Sequence, residues 1–228
     1  MTEDRQRRPA WRRRTRGERR WPSALGVVAA IVLQLVAPEP TVPQARYLLV
    51  ALEILLLGGM LLANPFRMDR ESVLLRGAGL GVTGLVGLSN GWSAVLLVTF
   101  LVENRPSSPG ELLFAGGTIW VTNVLAFALA YWELDRGGPA ARAAGTHANP
   151  DFLFPQLQSR ELAGDDWEPQ FADYLYLSFT NCTAFSPTDV LPLSRWAKVI
   201  MMVQAVIALV VVLLVVARAV NVLGGSGR

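Results

Sequence analysis

Apolar residues fall into five runs along the chain, with polar breaks between them and one mixed stretch before the last. The first run, Ser23 to Ala37, is bounded by Trp21-Pro22 and by the proline-rich PEPTVP, which cannot continue a helix. It is short for a span of about 20 residues. The second covers Tyr47 to Ala63 and is followed by the turn NPFRMDRE. The third, Ser72 to Val102, is longer as a helix than a hydrocarbon core of about 30 Å. Ser89-Asn90-Gly91-Trp92 interrupts it, so it predicts either one long kinked helix or two short pieces. Its Gly77, Gly81, Gly84 and Gly87 would let neighbouring helices approach closely. The fourth run, Leu112 to Trp132, follows the loop ENRPSSPGE, carries Asn123 near its middle and ends where Gly137 and Gly138 signal a stop. The last, Trp196 to Leu223, is long enough to cross with tilt, and Ser194 is placed to cap it.

Residues 135–168 are polar, rich in Pro, Gly and Asp, and without helical periodicity. Pro169, which suits a first helical position, then opens an amphipathic stretch. Phe171, Tyr174, Leu175, Ser178, Phe179 and Cys182 follow the i, i+3, i+4 spacing there. The stretch is too short to span and predicts a surface or re-entrant helix. The expected fold is an all-α integral membrane protein with about five transmembrane helices plus a short re-entrant, pore-like helix. Its parts are a basic arm (1–22), a four-helix membrane region (23–134), a polar acidic loop (135–168), a pore-loop-like helix with the final span (169–223) and a tail (224–228).

Composition agrees: hydrophobic residues are 52% and charged residues 17%, a balance foreign to a soluble core wrapped in charge. The net charge of +3 conceals an asymmetry, because nine arginines lie in the first twenty residues and the remainder is net acidic. This arm runs directly into an apolar segment, which favours topogenic and anionic-lipid roles over nucleic acid. The start superficially resembles a signal peptide, but LQLVAPEP lacks a small-x-small cleavage site, so a retained anchor is expected. The arginines predict a cytoplasmic N-terminus in the inner (plasma) membrane. Arg67 with Arg70, and Arg136 with Arg142, then fit two further cytoplasmic loops and give five crossings. Were the third run to cross twice, the segment from Glu133 to Arg195 would lie outside.

The stretch Ser178 to Lys198, SFTNCTAFSPTDVLPLSRWAK, resembles the pore module of tetrameric potassium channels. Ser178-Phe179-Thr180 corresponds to the end of that module's pore helix, and Thr183 to the first of its two consecutive threonines. Asp189 falls on the aspartate after the filter and Pro192 on the proline of the turn. Ser194, Ala197 and Lys198 match the start of the inner helix. The resemblance covers residues 170–223 and implies a pore helix, an inner helix and a homotetramer. The chain is also similar to a group of uncharacterised bacterial membrane proteins of about this length, through Asp173-Tyr174-Leu175-Tyr176 and Phe179-Thr180.

The departure from the channel pattern lies at its centre. Ala184-Phe185-Ser186-Pro187-Thr188 stands where the filter reads T-V-G-Y-G. A potassium filter replaces the ion's hydration shell with stacked carbonyls, and its backbone needs conformations that glycine permits and proline forbids. What remains is a set of side-chain oxygens and an amide: Thr180, Asn181, Thr183, Ser186, Thr188 and Asp189. They could line a hydrated, hydroxyl-walled pore, or form a satisfied polar turn that positions two helices.

Glu53 lies inside the second run, where a carboxylate is either on a proton or cation path or protonated and bonded to a neighbouring helix. Asn123 and Gln204 are expected to bridge helices. Trp21, Trp132 and Trp196 sit at run ends as interfacial anchors, and Glu133, Asp135 and Arg136 read as a solvated charged end. His147 is a lone loop histidine and Cys182 the one cysteine, so no metal set, cofactor loop or catalytic site is expected. The expected function is therefore non-enzymatic. It is either a channel-like protein with a degenerate, non-potassium-selective pore loop, or a non-conducting structural or interaction protein retaining the pore-module fold.

Overall fold

The structure, a computed structural model, describes residues 9–38, 45–63, 68, 72–103, 105–146, 149–159, 167–183 and 189–225. Its elements are α1 (Trp21–Val36), α2 (Arg46–Ala63), α3 (Val73–Val102), α4 (Pro109–Leu134), α5 (Pro139–Ala144), β1 (Phe152–Leu153), α6 (Pro155–Gln158), α7 (Phe171–Thr183), β2 (Leu191–Pro192) and α8 (Arg195–Gly225). The chain is mostly helical, and four helices (α2, α3, α4 and α8) are long and apolar enough to cross a membrane. α1 is apolar but shorter. This is the all-α integral-membrane class.

α3 runs unbroken through Ser89-Asn90-Gly91-Trp92. Ser89 and Asn90 do not interrupt it, because their side chains face inward and bond to other helices. α4 is the most enclosed span and packs against α1, α3, α7 and α8. Its start is a capping box: Ser108 Oγ accepts from Glu111 N at 3.2 Å, and Glu111 Oε2 accepts from Ser108 N at 3.0 Å. Its end is a run of positive φ at Arg136 (50°), Gly137 (76°) and Gly138 (98°), which terminates the helix as the two glycines predict.

Close helix approach depends on glycines other than the expected series. Gly77, Gly84 and Gly87 face open space. By contrast, a Cβ on Gly26 would lie 2.6 Å from the Phe171 ring, and one on Gly116 would lie 2.7 Å from Val215. One on Gly79 would lie 2.7 Å from the Glu133 carboxylate. These three let α7, α8 and α4, respectively, come into contact with α1, α4 and α3.

One end of the bundle is closed by a folded cap. Within 135–159, part of the segment read from the sequence as lacking helical periodicity, lie α5, α6 and β1, and β1 pairs antiparallel with β2, Phe152 opposite Pro192 and Leu153 opposite Leu191. Phe152, Phe154 and Leu157 are buried beneath it with Tyr174 and Tyr131. The arm folds back onto the same end: Thr15 N donates to Ala143 O, and Met68 N to Glu18 O. The arm and the 135–159 segment therefore share one end of the molecule. The starts of α1, α3, α7 and α8 and the ends of α2 and α4 meet there, so α1 to α4 run alternately away from and towards that end.

Candidate functional site

α7 begins at the cap. Gln170 N donates to Asp173 Oδ2 at 2.8 Å, an N-terminal cap one residue past Pro169, and Phe171 N donates to Glu18 Oε1 at 2.6 Å. The helix buries Phe171, Tyr174, Leu177, Ser178, Thr180 and Cys182. Leu177 thus takes the inward place expected of Phe179, whose ring stays exposed against Trp120. From the cap α7 descends into the bundle, and by Leu191 the chain is back at the cap.

The pore-loop candidates on α7 are committed to their own chain. Thr180 Oγ1 donates to Tyr176 O and Leu177 O, both at 3.0 Å, and Thr183 Oγ1 donates to Thr180 O at 2.9 Å. The Asn181 amide donates to Met201 O at 2.9 Å and to Gln204 Oε1 at 2.8 Å, binding α7 to α8. Asp189 is exposed where the chain re-enters the cap. Ser186 and Thr188, like His147, lie outside the described residues.

Gln204, fully buried on α8, is the hub of this contact. Its Nε2 donates to Ser178 Oγ at 2.6 Å, Ser178 O at 3.1 Å and Cys182 Sγ at 2.9 Å, and its Oε1 also accepts from Tyr131 OH. Ser178 Oγ in turn donates to Val124 O at 2.6 Å. Asn123 donates to Cys182 Sγ at 3.5 Å and Gln204 O at 3.4 Å, and accepts from Asn90 Nδ2 at 3.1 Å. Asn123 and Gln204 do bridge helices, but through a shared network whose other members carry no sequence signal beyond being polar within apolar runs. Beside Asn90, a cavity of about 10 Å³ is lined by Ser93, Thr118 and Thr122.

Glu53 is the third part of this polar layer. It is fully buried, and Gln34 Nε2 donates to both of its oxygens, at 3.2 and 3.0 Å. Gln34 Oε1 accepts from Ser89 Oγ at 2.7 Å, next to Asn90. Glu53 thus joins α2 to α1 by a hydrogen bond. Taking 1.5 Å per residue from the capped end of each helix, Gln34, Glu53, Ser89, Asn123, Cys182 and Gln204 lie roughly 13–25 Å deep. The layer crosses the bundle; it does not run along it.

The charged groups at the end of α4 are not solvated. Asp135, Arg136 and Glu133 are all buried. Asp135 Oδ1 accepts from Asp151 N at 3.0 Å and Phe152 N at 3.4 Å, and its Oδ2 accepts from Tyr174 OH at 2.5 Å. Asp151 Oδ2 accepts from Arg136 N at 2.9 Å, which holds Arg136 in its left-handed conformation, and Oδ1 accepts from Trp196 Nε1 at 3.0 Å. The Arg142 guanidinium lies over the Tyr174 ring at 5.0 Å and the Trp132 ring at 5.9 Å, and donates to Trp132 O and Asp135 O. Trp132 and Trp196 are therefore pinned inside the cap by carboxylates, whereas Trp21 is exposed at the start of α1 as an interfacial anchor would be.

Comparison with protein-family models, curated proteins and solved structures finds no match.

Proposed function

We propose that the chain is a non-conducting, multi-pass membrane protein that uses a pore-module-like fold as a scaffold for interaction at the membrane surface. The observation that carries this reading is the commitment of Thr180, Asn181 and Thr183 to partners within their own chain. These bonds fasten the hydroxyls to the backbone of α7 and the Asn181 amide to α8, and Thr180 is buried in that packing. The polar layer linking Glu53 to Gln204 runs across the bundle, which supports a role in holding helices together and gives no route along the membrane normal.

In this reading α1 to α4 and α8 make five crossings, α7 is re-entrant, and the arm and cap lie on the cytoplasmic side of the inner membrane. The shared end of arm and cap, combined with the arginine bias, supports that orientation. Arg12, Arg14, Arg16 and Arg19 are exposed on the arm and meet anionic lipid headgroups. A homotetramer rests on the resemblance to channels alone, and cross-linking in native membranes measures it.

Ion flux in proteoliposomes tests the central claim. The purified chain should give no flux of common cations or anions above protein-free vesicles, across pH and voltage. Flux that is present and lost in Thr183→Val would reverse it and restore the pore. Orientation is tested separately with Gln156→Cys in a Cys182→Ser background: labelling from outside the cell would place the cap on the opposite side.

A further inference from the structure

At the capped end, where α2 finishes and α3 begins, lies a pocket of about 520 Å³. That volume is within the range of small-ligand sites. Its walls combine two kinds of surface. Met60, Val73 and Trp132 make an apolar side, while Arg20, Arg76 and Glu133 supply charge. Arg76 is already committed. It donates to the Glu133 backbone carbonyl and, at 2.8 Å, to the Glu133 carboxylate. Gly138 and Gly79 give this pair its space, because a Cβ on the first would strike the Arg76 guanidinium and one on the second the Glu133 carboxylate.

Arg20 is different. It is 5% exposed, and its guanidinium makes no hydrogen bond among the described residues, with Nε sealed from solvent. Glu133 acts on it only through space, and burial pushes its pKa below the ordinary value. Two guanidiniums thus face the pocket against one carboxylate that Arg76 already engages. A buried cation without a hydrogen-bonded counter-ion carries an uncompensated desolvation penalty. An anion seated in the pocket would offset that cost, and guanidinium geometry favours the planar pairs of oxygens that phosphate offers. The apolar wall beside it, at the ends of membrane-length helices, fits the hydrocarbon part of the same molecule.

We propose that this pocket binds the phosphate of an anionic amphiphile, with Arg20 as the principal cation, Arg76 as the second, and Met60 and Val73 along the apolar portion. This site is separate from the diffuse attraction of the exposed arm arginines, and it does not depend on whether the protein conducts. The shared chemistry is a phosphate ester, and its source is either a lipid headgroup or a soluble phosphate.

The test uses the full chain in phosphatidylcholine nanodiscs, with phosphatidylglycerol or inorganic phosphate added, read by retained lipid in mass spectrometry and by thermal shift. Wild type should retain phosphatidylglycerol. Arg20→Gln should weaken that retention by about tenfold or more, and Arg105→Gln, exposed in the loop between α3 and α4 at the opposite end of the bundle, should leave it unchanged. Ala140→Phe puts bulk into the pocket while keeping both arginines in the sequence and should also abolish retention, which keeps the proposal decidable if Arg20→Gln does not fold. Stabilisation by phosphatidylglycerol with no response to millimolar inorganic phosphate identifies the lipid as source; displacement by inorganic phosphate identifies a soluble ester at the same site. Equal retention by wild type and both pocket variants, or equal loss in Arg105→Gln, overturns the proposal.

Discussion

Tyr174 donates its phenolic hydrogen to Asp135 Oδ2 at 2.5 Å, joining the first turn of α7 to the end of α4 across 39 positions of sequence. Asp135 is fully buried and also accepts from the backbone of β1, so one carboxylate holds three segments together. Removing it should be severe, because Arg136 and Arg142 stay buried without it. Asp135→Ala is expected to cost about 3–5 kcal/mol, whereas Tyr174→Phe, which leaves the carboxylate its other donors, should cost about 1 kcal/mol. Denaturant unfolding in detergent, followed by tryptophan fluorescence from the cap, measures both. An Asp135→Ala protein as stable as Tyr174→Phe would mean that the cap does not depend on this carboxylate.

The Gln204 hub can be read through the chain's one cysteine. Cys182 is buried and accepts from both Gln204 and Asn123. Gln204→Leu takes one of their partners from Ser178 and Asn181 and the Gln204 acceptor from Tyr131. The expected loss is about 2 kcal/mol, given the modest worth of single bonds between membrane helices. The more specific outcome is kinetic: α7 should detach locally from α8, and maleimide should modify Cys182 faster than in wild type. Unchanged labelling would show that apolar packing alone holds α7.

Glycine substitutions should separate by what surrounds them rather than by their spacing. Gly138→Ala places a Cβ on a residue with φ of 98° and against the Arg76 guanidinium, for an expected cost of about 2 kcal/mol or more. Gly26→Ala and Gly116→Ala meet the Phe171 ring and Val215 and should also destabilise. Gly84→Ala meets open space and should stay within about 0.5 kcal/mol of wild type. Thermal unfolding of the four variants gives the order, and a destabilised Gly84→Ala would reveal a partner helix on that face.

The contrast among those glycines shows what the sequence made legible. Long apolar runs locate the spans to within three residues: Tyr47 to Ala63 becomes Arg46–Ala63, and Leu112 to Trp132 becomes Pro109–Leu134. Run length and hydropathy are local properties. Which glycine meets a neighbour depends on the rotation of two helices, so Gly79 was invisible beside the more regular Gly77, Gly81, Gly84 and Gly87. The cap was missed for a related reason. Its core takes single apolar residues from separate turns, Phe152, Phe154 and Leu157, so no periodicity exists to find. Its polar bonds are longer in range still, Glu18 to Phe171 spanning 153 positions. The Ser108–Glu111 capping box, by contrast, was present as S-P-G-E within an expected loop. Among the pore-loop candidates, the sequence put Thr180, Asn181 and Thr183 in or at the edge of a loop, whereas all three lie on α7 with their polar atoms turned onto their own chain.

Glu18 should leave a mark on the pH dependence of stability. Its carboxylate, buried in the cap, accepts from Trp132 Nε1 at 2.7 Å and Phe171 N at 2.6 Å. Burial raises its pKa above the ordinary 4.5, against the lowering effect of those two donors and of Arg142. The folded state therefore holds this proton more tightly than the unfolded chain does. Between the ordinary and the raised value, folding takes up a proton, so this group's contribution to stability falls as pH rises through that window and is level on either side. Glu18→Gln removes the titration and misplaces one acceptor, which lowers stability by an amount independent of pH. The advantage of wild type over Glu18→Gln should therefore be greatest on the acid side of the window and shrink as pH rises through it. Denaturant titrations of both proteins across mildly acidic to neutral pH give that difference directly, free of the other titrating groups they share. A difference that grows with pH would mean that the Trp132 and Phe171 donors outweigh burial and that Glu18 is held below its ordinary value.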